Sequence, residues 1–469
     1  MTSGLAAVAA AGWILSGGDA GQAAAPLRDE PAGVSRATAP PDWLTIRGQA
    51  RVRYETLDGQ FRAGGSGGDQ LLAFRTLVLA EADLGGWAVG VELQDSRAYL
   101  DDDGTPLSTS IVNPLDVLQA YVRLDEAGLP GFGSGTLTLG RQTLDIGSRR
   151  VLERVDMANV IFSYTGAYWR GVRADGSELH LLAFVPTGRQ PADRPSLGDN
   201  ALSGDEEQWG RRGWGVHYRA ADVLGATLPD VWAEAYVYGL HERDTDTVPT
   251  PNRDYVQPGF RLYRAPRAGR ADFDLEVSAR TGSRRAGSAA IDRRDLKVDA
   301  RLLVVTAGYT FNSAWRPRLA IDYYHASGDS DPADDRYEQF ERLFGSRRTD
   351  LGNTGIHGPL TPANIDAPGG RLEMTPNARS DLRLAYKAAW LAEPRDAWVV
   401  AGLRDPAGAS GRFIGHSLEF RGRFQIVPDK LLLEVGASAL LAGRFAREAP
   451  GGPRQGDTRF GYVSLTRSF

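Results

Sequence analysis

The feature that most constrains this chain is a strict alternation of polar and apolar side chains along its extended segments. In "WLTIRGQARVRYETL", residues 43–57, the polar positions Arg47, Gln49, Arg51, Arg53 and Glu55 alternate with Ile46, Gly48, Ala50, Val52 and Tyr54. A period of two is typical of a β-strand with two unlike faces. One face of this strand is apolar and the other is rich in arginine, so we expect the two faces to meet different environments.

The same alternation recurs along the chain, with turn residues between the segments. Clear examples are "WAVGVELQDS", "DFDLEVSAR", "DLKVDARLLVV", "DLRLAYKAAW" and "HSLEFRGRFQI". In the third, the pattern predicts that Leu296, Val298, Ala300 and Leu302 face lipid, opposite Lys297, Asp299 and Arg301. The count is about eighteen strands, which lies within the range of bacterial transmembrane barrels.

The connections between these segments alternate between long and short. Long links such as "PTGRQPADRPSLGDNALSGDEE" follow one end of the strands, and short links such as "PDK" follow the other. An all-β, single antiparallel transmembrane β-barrel with brief periplasmic turns, long outer loops and both termini periplasmic has this arrangement. No apolar run reaches the length of about eighteen residues that a transmembrane helix needs. The sequence therefore predicts a protein of the bacterial outer membrane.

The chain divides into three predicted regions. Residues 1–25 resemble a secretory signal peptide, with a short alanine-rich apolar stretch followed by small residues. Residues 26–41 are predicted to be a periplasmic lead-in, and residues 42–469 the barrel. The longest extracellular loop is predicted over residues 328–376, with a short helix at residues 337–346, where Phe340, Leu343 and Phe344 have helical spacing.

The chain ends on an aromatic residue, Phe469, in the segment "GYVSLTRSF". Outer-membrane barrels commonly end in this way, and the assembly machinery reads the last strand. We therefore predict that Phe469 is an assembly signal, although Arg467 interrupts the apolar face near the end.

Composition excludes several other classes of function. There is no cysteine, and the six histidines are scattered without an HExxH motif, so neither a cofactor, a metal site nor an enzyme is predicted. The net charge of −5 argues against nucleic-acid binding.

The polar faces of the predicted strands carry many cations, which we expect to line one volume of water. The predicted pore residues are Arg47, Arg51, Arg53, Arg75, Arg301, Arg383, Lys387, Arg421 and Arg423, with Glu419 among them. Guanidinium groups bind carboxylates in a bidentate fork, so such a lumen favours anions. Alternatively, opposed charges across the lumen hold the wall in shape.

Two motifs resemble the alginate-export family of outer-membrane barrels. "SGDSDPADDRYEQFERLF" is similar to its Ser-Gly-Asp loop with a downstream aromatic-rich helix, and "LGRQTLDIGSRRVLERVDMANV" with "YWRGVRA" is similar to its Gly-Arg-Gln strand and returning strand. The resemblance implies a monomeric barrel of about eighteen strands with an arginine-lined constriction that selects an acidic polysaccharide. It implies that Arg141 and Asp145 face the pore and that Arg149, Arg150 and Arg154 enter it from the adjoining loop. Arg170 stands where relatives often carry an acidic residue.

These observations predict a channel for export or diffusion of anionic solutes, most concretely an acidic polysaccharide such as alginate. The expected partners are outer-membrane lipids, the barrel-assembly machinery, the anionic substrate and a periplasmic export scaffold, with no nucleic acid. An uptake channel for small organic acids is an alternative, as is an outer-membrane enzyme or structural barrel.

Overall fold

The computed structural model of the protein describes residues 41–245, 248–453 and 456–469. The predicted signal peptide and almost all of the predicted lead-in lie outside these residues. Among these residues, none of the helices has the length and hydrophobicity of a membrane span.

The described residues form twenty strands, of which eighteen close into an antiparallel barrel. The strands are β1 (Leu44–Asp58), β2 (Gly68–Asp83), β3 (Trp87–Tyr99), β4 (Asn113–Leu124), β5 (Ser134–Gln142), β6 (Tyr164–Val172), β7 (Glu178–Gly188), β8 (Glu206–Glu207), β9 (Arg211–Ala220), β10 (Val231–Glu242), β11 (Asp254–Arg264), β12 (Arg270–Arg285), β13 (Asp295–Thr310), β14 (Arg318–Ala326), β15 (Arg336–Tyr337), β16 (Ile365–Asn377), β17 (Ser380–Trp390), β18 (Phe413–Val427), β19 (Leu431–Ala442) and β20 (Thr458–Ser468). The helices are α1 (Arg194–Gly198), α2 (Arg348–Leu351) and α3 (Arg444–Glu448).

Each barrel strand pairs with its neighbours in chain order, and β20 pairs with β1 to close the ring. The two-residue strands β8 and β15 lie outside the ring, paired at the ends of β7 and β13. Because the number of ring strands is even, both ends of the barrel segment lie on the side of the short turns. That this side is periplasmic stays a prediction.

Alternation along the strands separates an apolar outer face from a buried inner face. In β3 the outer residues Trp87, Val89, Val91 and Leu93 are exposed, while the intervening Glu92 is buried at 5%. The exposed apolar face is the surface that a bilayer would cover. The predicted barrel is thus confirmed, and its strand count agrees with the prediction.

The prediction for β13 is wrong at its upper end, the end on the side of the long loops. Register with β12 pairs Val298 with Gly282 and Arg301 with Ala279, which puts Val298 on the inner face and Arg301 on the outer face. Val298 belongs to an apolar cluster that includes Phe340 and Leu351 of the long loop, whereas the Arg301 side chain is 70% exposed. The polarity inverts because this part of the inner wall packs against an apolar loop instead of water.

The longest loop also differs from the prediction. It runs over residues 327–364, since residues 365–377 form β16, and its only described helix is the short α2. Residues 337–346 are not helical. Their aromatic residues pack on different elements, with Phe340 in the cluster under β13 and Phe344 against Tyr164 and Phe184, and an extended path permits both contacts.

Candidate functional site in the barrel lumen

Two long loops fold into the barrel and meet inside it. We call residues 143–163, between β5 and β6, inner loop A, and residues 327–364, between β14 and β16, inner loop B. Glu153 N–H donates to Phe344 O (3.2 Å), and Ser346 N–H donates to Arg149 O (3.0 Å). The two loops therefore form one constriction across the lumen.

The predicted arginines of β1 and β2 lie on the inner face, and their donors hold inner loop A. Arg51 donates to the carbonyl oxygens of Asp156 (2.9 Å) and Ala158 (2.7 Å), and Arg75 donates to the same two oxygens (2.7 and 2.9 Å). Arg53 donates to Met157 O (2.7 Å). Three consecutive backbone carbonyls of inner loop A thus accept hydrogen bonds from these guanidinium groups. Strand alternation alone predicts that the same groups face the pore.

The predicted cations of β17 and β18 also lie on the inner face, and each has a polar partner. Arg383 donates to Thr349 O (3.0 Å) of inner loop B, and Glu419 accepts from Asn353 N–H (2.6 Å). The other contacts are Arg423 with Asp381 (2.9 Å), Arg421 with Asp381 (3.8 Å) and Lys387 with Asp322. Most of the predicted row therefore forms the wall and anchors the loop.

Arg150 is the strongest link between inner loop A and its surroundings. Its guanidinium contacts Glu276 (2.6 Å) and Asp274 (3.1 Å) of β12 and Asp350 (2.8 Å) of inner loop B. Burial alone would lower the pKa of Arg150, but these three carboxylates raise it well above its ordinary value. Arg150 therefore stays charged and joins inner loop A to strand β12 and to inner loop B.

Two further predicted pore residues lie elsewhere than expected. Arg301, as described, faces outward. Arg141 pairs in register with Ala120 and shares the outer face with the exposed Leu139, and its guanidinium contacts Glu207 (2.7 Å). The prediction that these two side chains face the lumen is wrong: the polar segment around Arg141 has no clear alternation, and β8 covers its outer side.

The remaining predicted residues lie at the edges of the constriction. Arg47 is on the inner face of β1 but exposed near the short-turn end. Asp145 and Arg149 form an ion pair (2.8 Å) within inner loop A, with each side chain about one-third exposed (36% and 35%). Arg154 contacts Glu92 (2.7 Å) of β3.

Four arginines that the strand pattern did not identify differ from all of these. In Arg62, Arg189, Arg342 and Arg347, burial lowers the pKa more than any neighbouring carboxylate raises it; the carboxylates that act on the first three are Asp69, Asp205 and Glu153. We call these four residues the loop arginines. Arg342 and Arg347 belong to inner loop B, and Arg62 and Arg189 to the loops that follow β1 and β7.

The loop arginines are close enough to influence each other's charge. Burial, followed by the neighbouring charges of Arg342 and Arg62, lowers the pKa of Arg347 to about 9. Arg347 and Arg62 donate to nearby carbonyls, those of Gly358 (3.0 Å) and His357 (2.8 Å). Burial also lowers the pKa of Arg62 and of Arg189 to about 10. Groups with these pKa values are protonated at neutral pH, so Arg62, Arg189 and Arg347 add positive charge near the constriction.

No motif or periodic pattern in the sequence marks the loop arginines. The segment "ERLFGSRR" contains Arg342, Arg347 and Arg348 without distinguishing them. In the structure, Arg348 contacts Glu434 (2.5 Å), whereas Arg347 donates to carbonyl oxygens. Only the path of the loop through the barrel decides which cation meets a carboxylate.

Comparison with known proteins is consistent with this architecture. A family described as alginate export matches residues 42–461. Solved structures with a similar fold include several from Pseudomonas aeruginosa. OccK9 (OpdG) has a TM-score of 0.57 at 14% identity, covering 91% of this chain and 98% of that one. OccD3 (OpdP) has a TM-score of 0.55 at 12% identity, with 94% and 95% coverage.

A structure of OpdK with vanillate, also from Pseudomonas aeruginosa, has a TM-score of 0.54 at 12% identity, covering 90% of this chain and 99% of that one. No curated protein sequence matches this chain.

Proposed function

Because the chain belongs to the alginate-export family and is an outer-membrane channel, we propose that it conducts anionic solutes and that its substrate is an acidic polysaccharide such as alginate. The observation that carries the proposal is the cluster of four loop arginines near the constriction, on which burial acts more strongly than any neighbouring carboxylate. Their charge is available to a solute, whereas that of Arg150 or Arg423 is neutralised locally.

The physical basis is the match between guanidinium and carboxylate. A uronate polymer carries about one carboxylate per sugar, and a charge-assisted fork fixes each carboxylate in orientation. The low-dielectric wall of the barrel strengthens the field of the loop arginines relative to an open surface. The four cations come from three loops and are spread along the path, and conduction requires several weak sites instead of one tight site.

Arg170 does not add to this excess charge. It contacts Glu178 at 2.8 Å, and Arg219 contacts the same carboxylate at 2.6 Å. The arginine that departs from the family pattern is therefore part of a wall network and leaves the proposed selectivity in place.

Block of single-channel current tests the proposal. A short uronate oligomer added to a planar bilayer should interrupt the current of the wild-type channel, and a neutral oligosaccharide of the same length should do so far less. Arg342→Gln should weaken the block by the uronate, whereas Arg301→Gln, on the outer face, should leave it unchanged. Equal block by charged and neutral oligomers would remove the basis for an acidic substrate.

A second candidate is an uptake channel for small organic acids. The contact between inner loops A and B favours it, since a partition across the lumen narrows the path available to a polymer. Solute flux into proteoliposomes separates the two candidates. A channel that conducts a monouronate, but neither conducts longer uronates nor is blocked by them, supports the small-acid channel.

A further inference from the structure

The outer face of the barrel carries a group of cations directly beyond its apolar band. We call Arg212, Lys297, Arg301 and Arg336 the outer basic patch; all four side chains are exposed. Strand register aligns the patch, because Arg212 pairs with His241, His241 with Asp254, Asp254 with Ser283, Ser283 with Lys297, and Lys297 with Arg336. Four inter-strand steps separate Arg212 from Lys297, a distance of about 20 Å.

The apolar surface begins immediately below this row. On β9 the residues that follow Arg212 on the same face are Trp214 and Val216, exposed at 43% and 42%. On β11, Val256 and Phe260 are exposed at 37% and 44%. A tryptophan between an apolar band and a row of cations is the usual arrangement at the edge of a bilayer, where lipid head groups lie.

The patch retains positive charge after its own ion pairs are counted. Asp299 contacts Arg301 (3.4 Å) and Arg336 (3.8 Å), and Asp254 contacts His241 (3.0 Å). Among the described residues, no carboxylate lies within 4.0 Å of Arg212 or Lys297. Arg301 and Arg336 thus share one carboxylate, Asp299, on a surface that the bilayer edge must cover.

We propose that the outer basic patch binds the phosphate groups of a phosphorylated glycolipid on the long-loop side of the membrane. Guanidinium and ammonium groups are strong donors to phosphate oxygens, and basic residues at a membrane surface attract anionic head groups. The width of the patch suits a head group with two separated phosphates, one near Arg212 and the other near Lys297, Arg301 and Arg336. The site lies on the outer wall and is independent of conduction through the lumen.

Native mass spectrometry of the full chain in an uncharged detergent tests this site. A diphosphoryl glycolipid should give a one-to-one adduct that survives activation. Combined substitution of the patch (Arg212→Gln, Lys297→Gln, Arg301→Gln, Arg336→Gln) should reduce the adduct at least fivefold. Arg459→Gln, an exposed outer-face arginine on β20, is the matched control and should leave it unchanged.

Three outcomes would overturn the proposal. Equal binding of the dephosphorylated and the phosphorylated glycolipid would show that only apolar contacts hold the lipid. Inorganic phosphate displacing the lipid at equal concentration would show a simple anion site. A patch variant that migrates as a folded, heat-modifiable barrel and keeps the full adduct would show that these cations do not bind the head group.

Discussion

At the scale of single residues, the arginines of this barrel divide by their partners. Alternation placed the guanidinium groups of Arg51, Arg75 and Arg423 on the inner face, and the structure places them there too. Alternation could not show that loop carbonyl oxygens already bind Arg51 and Arg75, because inner loop A has no periodic pattern. The partner of Arg423, Asp381, lies on the neighbouring strand β17. The loop arginines, by contrast, were found only from the fold.

Arg342 is the residue whose charge should matter most to a passing anion. Its side chain is partly exposed, and burial lowers its pKa more than the charge of Glu153 raises it. Arg342→Gln should reduce the anion-to-cation permeability ratio about twofold to fivefold, the effect of one partly screened contact of about 0.5–1 kcal/mol. Reversal potentials at low salt measure this ratio. If Arg301→Gln reduced the permeability ratio equally, the effect would come from the overall charge of the protein and not from the constriction.

Arg150 should matter to stability instead of selectivity. Arg150→Gln leaves Glu276, whose side chain is fully buried, and Asp350 without their cation. Removing one partner of a buried ion pair costs about 3–5 kcal/mol. We expect the heat-induced shift in gel migration to occur at a lower temperature. We also expect larger fluctuations of the open-channel current, because the inner loops loosen. Arg395→Gln, on the surface, serves as control. An unchanged temperature of the gel shift in Arg150→Gln would contradict the stabilising role of Arg150.

At the scale of elements, the closing seam of the barrel depends on a glycine. Gly48 of β1 donates to Phe469 O (2.8 Å) and accepts from Phe469 N–H (2.9 Å), and a Cβ at Gly48 would lie 2.1 Å from the Phe469 ring. The terminal ring therefore occupies the space that a side chain at Gly48 would need. This gives the predicted assembly residue a structural role that the sequence alone did not reveal.

Gly48→Ala should consequently lower the yield of folded barrel, as deletion of Phe469 should. Gly461→Ala on β20 is the matched control, since its added methyl group would meet no atom closer than 3.7 Å. Quantitative heat-modifiability of membrane fractions measures folded yield. Equal yields for the two glycine variants would show that the ring contact is dispensable.

Inner loop B should loosen in acid. Glu341 contacts Arg253 (3.2 Å), Arg284 (3.3 Å) and Arg280 (3.8 Å). Burial would raise the pKa of Glu341, but the three arginines outweigh it and hold the pKa at about 2, below its ordinary value of 4.5. The contact therefore stabilises the folded loop fully above about pH 4.5, and this contribution is lost as the pH falls toward 2.

Single-channel recordings at pH 7 and pH 3 measure this loosening. Current fluctuations should increase at pH 3 in the wild type, and Glu341→Gln should show them already at pH 7 with little further change on acidification. Wild-type fluctuations that are insensitive to pH over this range would contradict the role of Glu341.

At the scale of the whole molecule, the closed barrel could be predicted because its signals are local and repeated. Alternation within each strand and the alternation of loop lengths both follow from spanning a bilayer with antiparallel strands. Where a strand leaves that environment, as β13 does beside inner loop B, the same rule assigned the faces incorrectly. The constriction could not be predicted, because it depends on two loops that meet across the lumen.

The net charge of the chain, −5, does not describe the charge that a solute meets. Carboxylates such as Glu276, Asp350 and Glu341 are bound to arginines, while burial lowers the pKa of the loop arginines more than nearby carboxylates raise it. The local field of the constriction should therefore oppose the overall charge of the protein.

The reversal potential of the wild-type channel in a salt gradient tests this account most directly. At low ionic strength we predict a preference for anions, which declines as added salt shortens the Debye length from about 30 Å at 0.01 M to about 3 Å at 1 M. A wild-type channel that prefers cations at low salt would contradict the account, because the loop arginines would then not control the solute path.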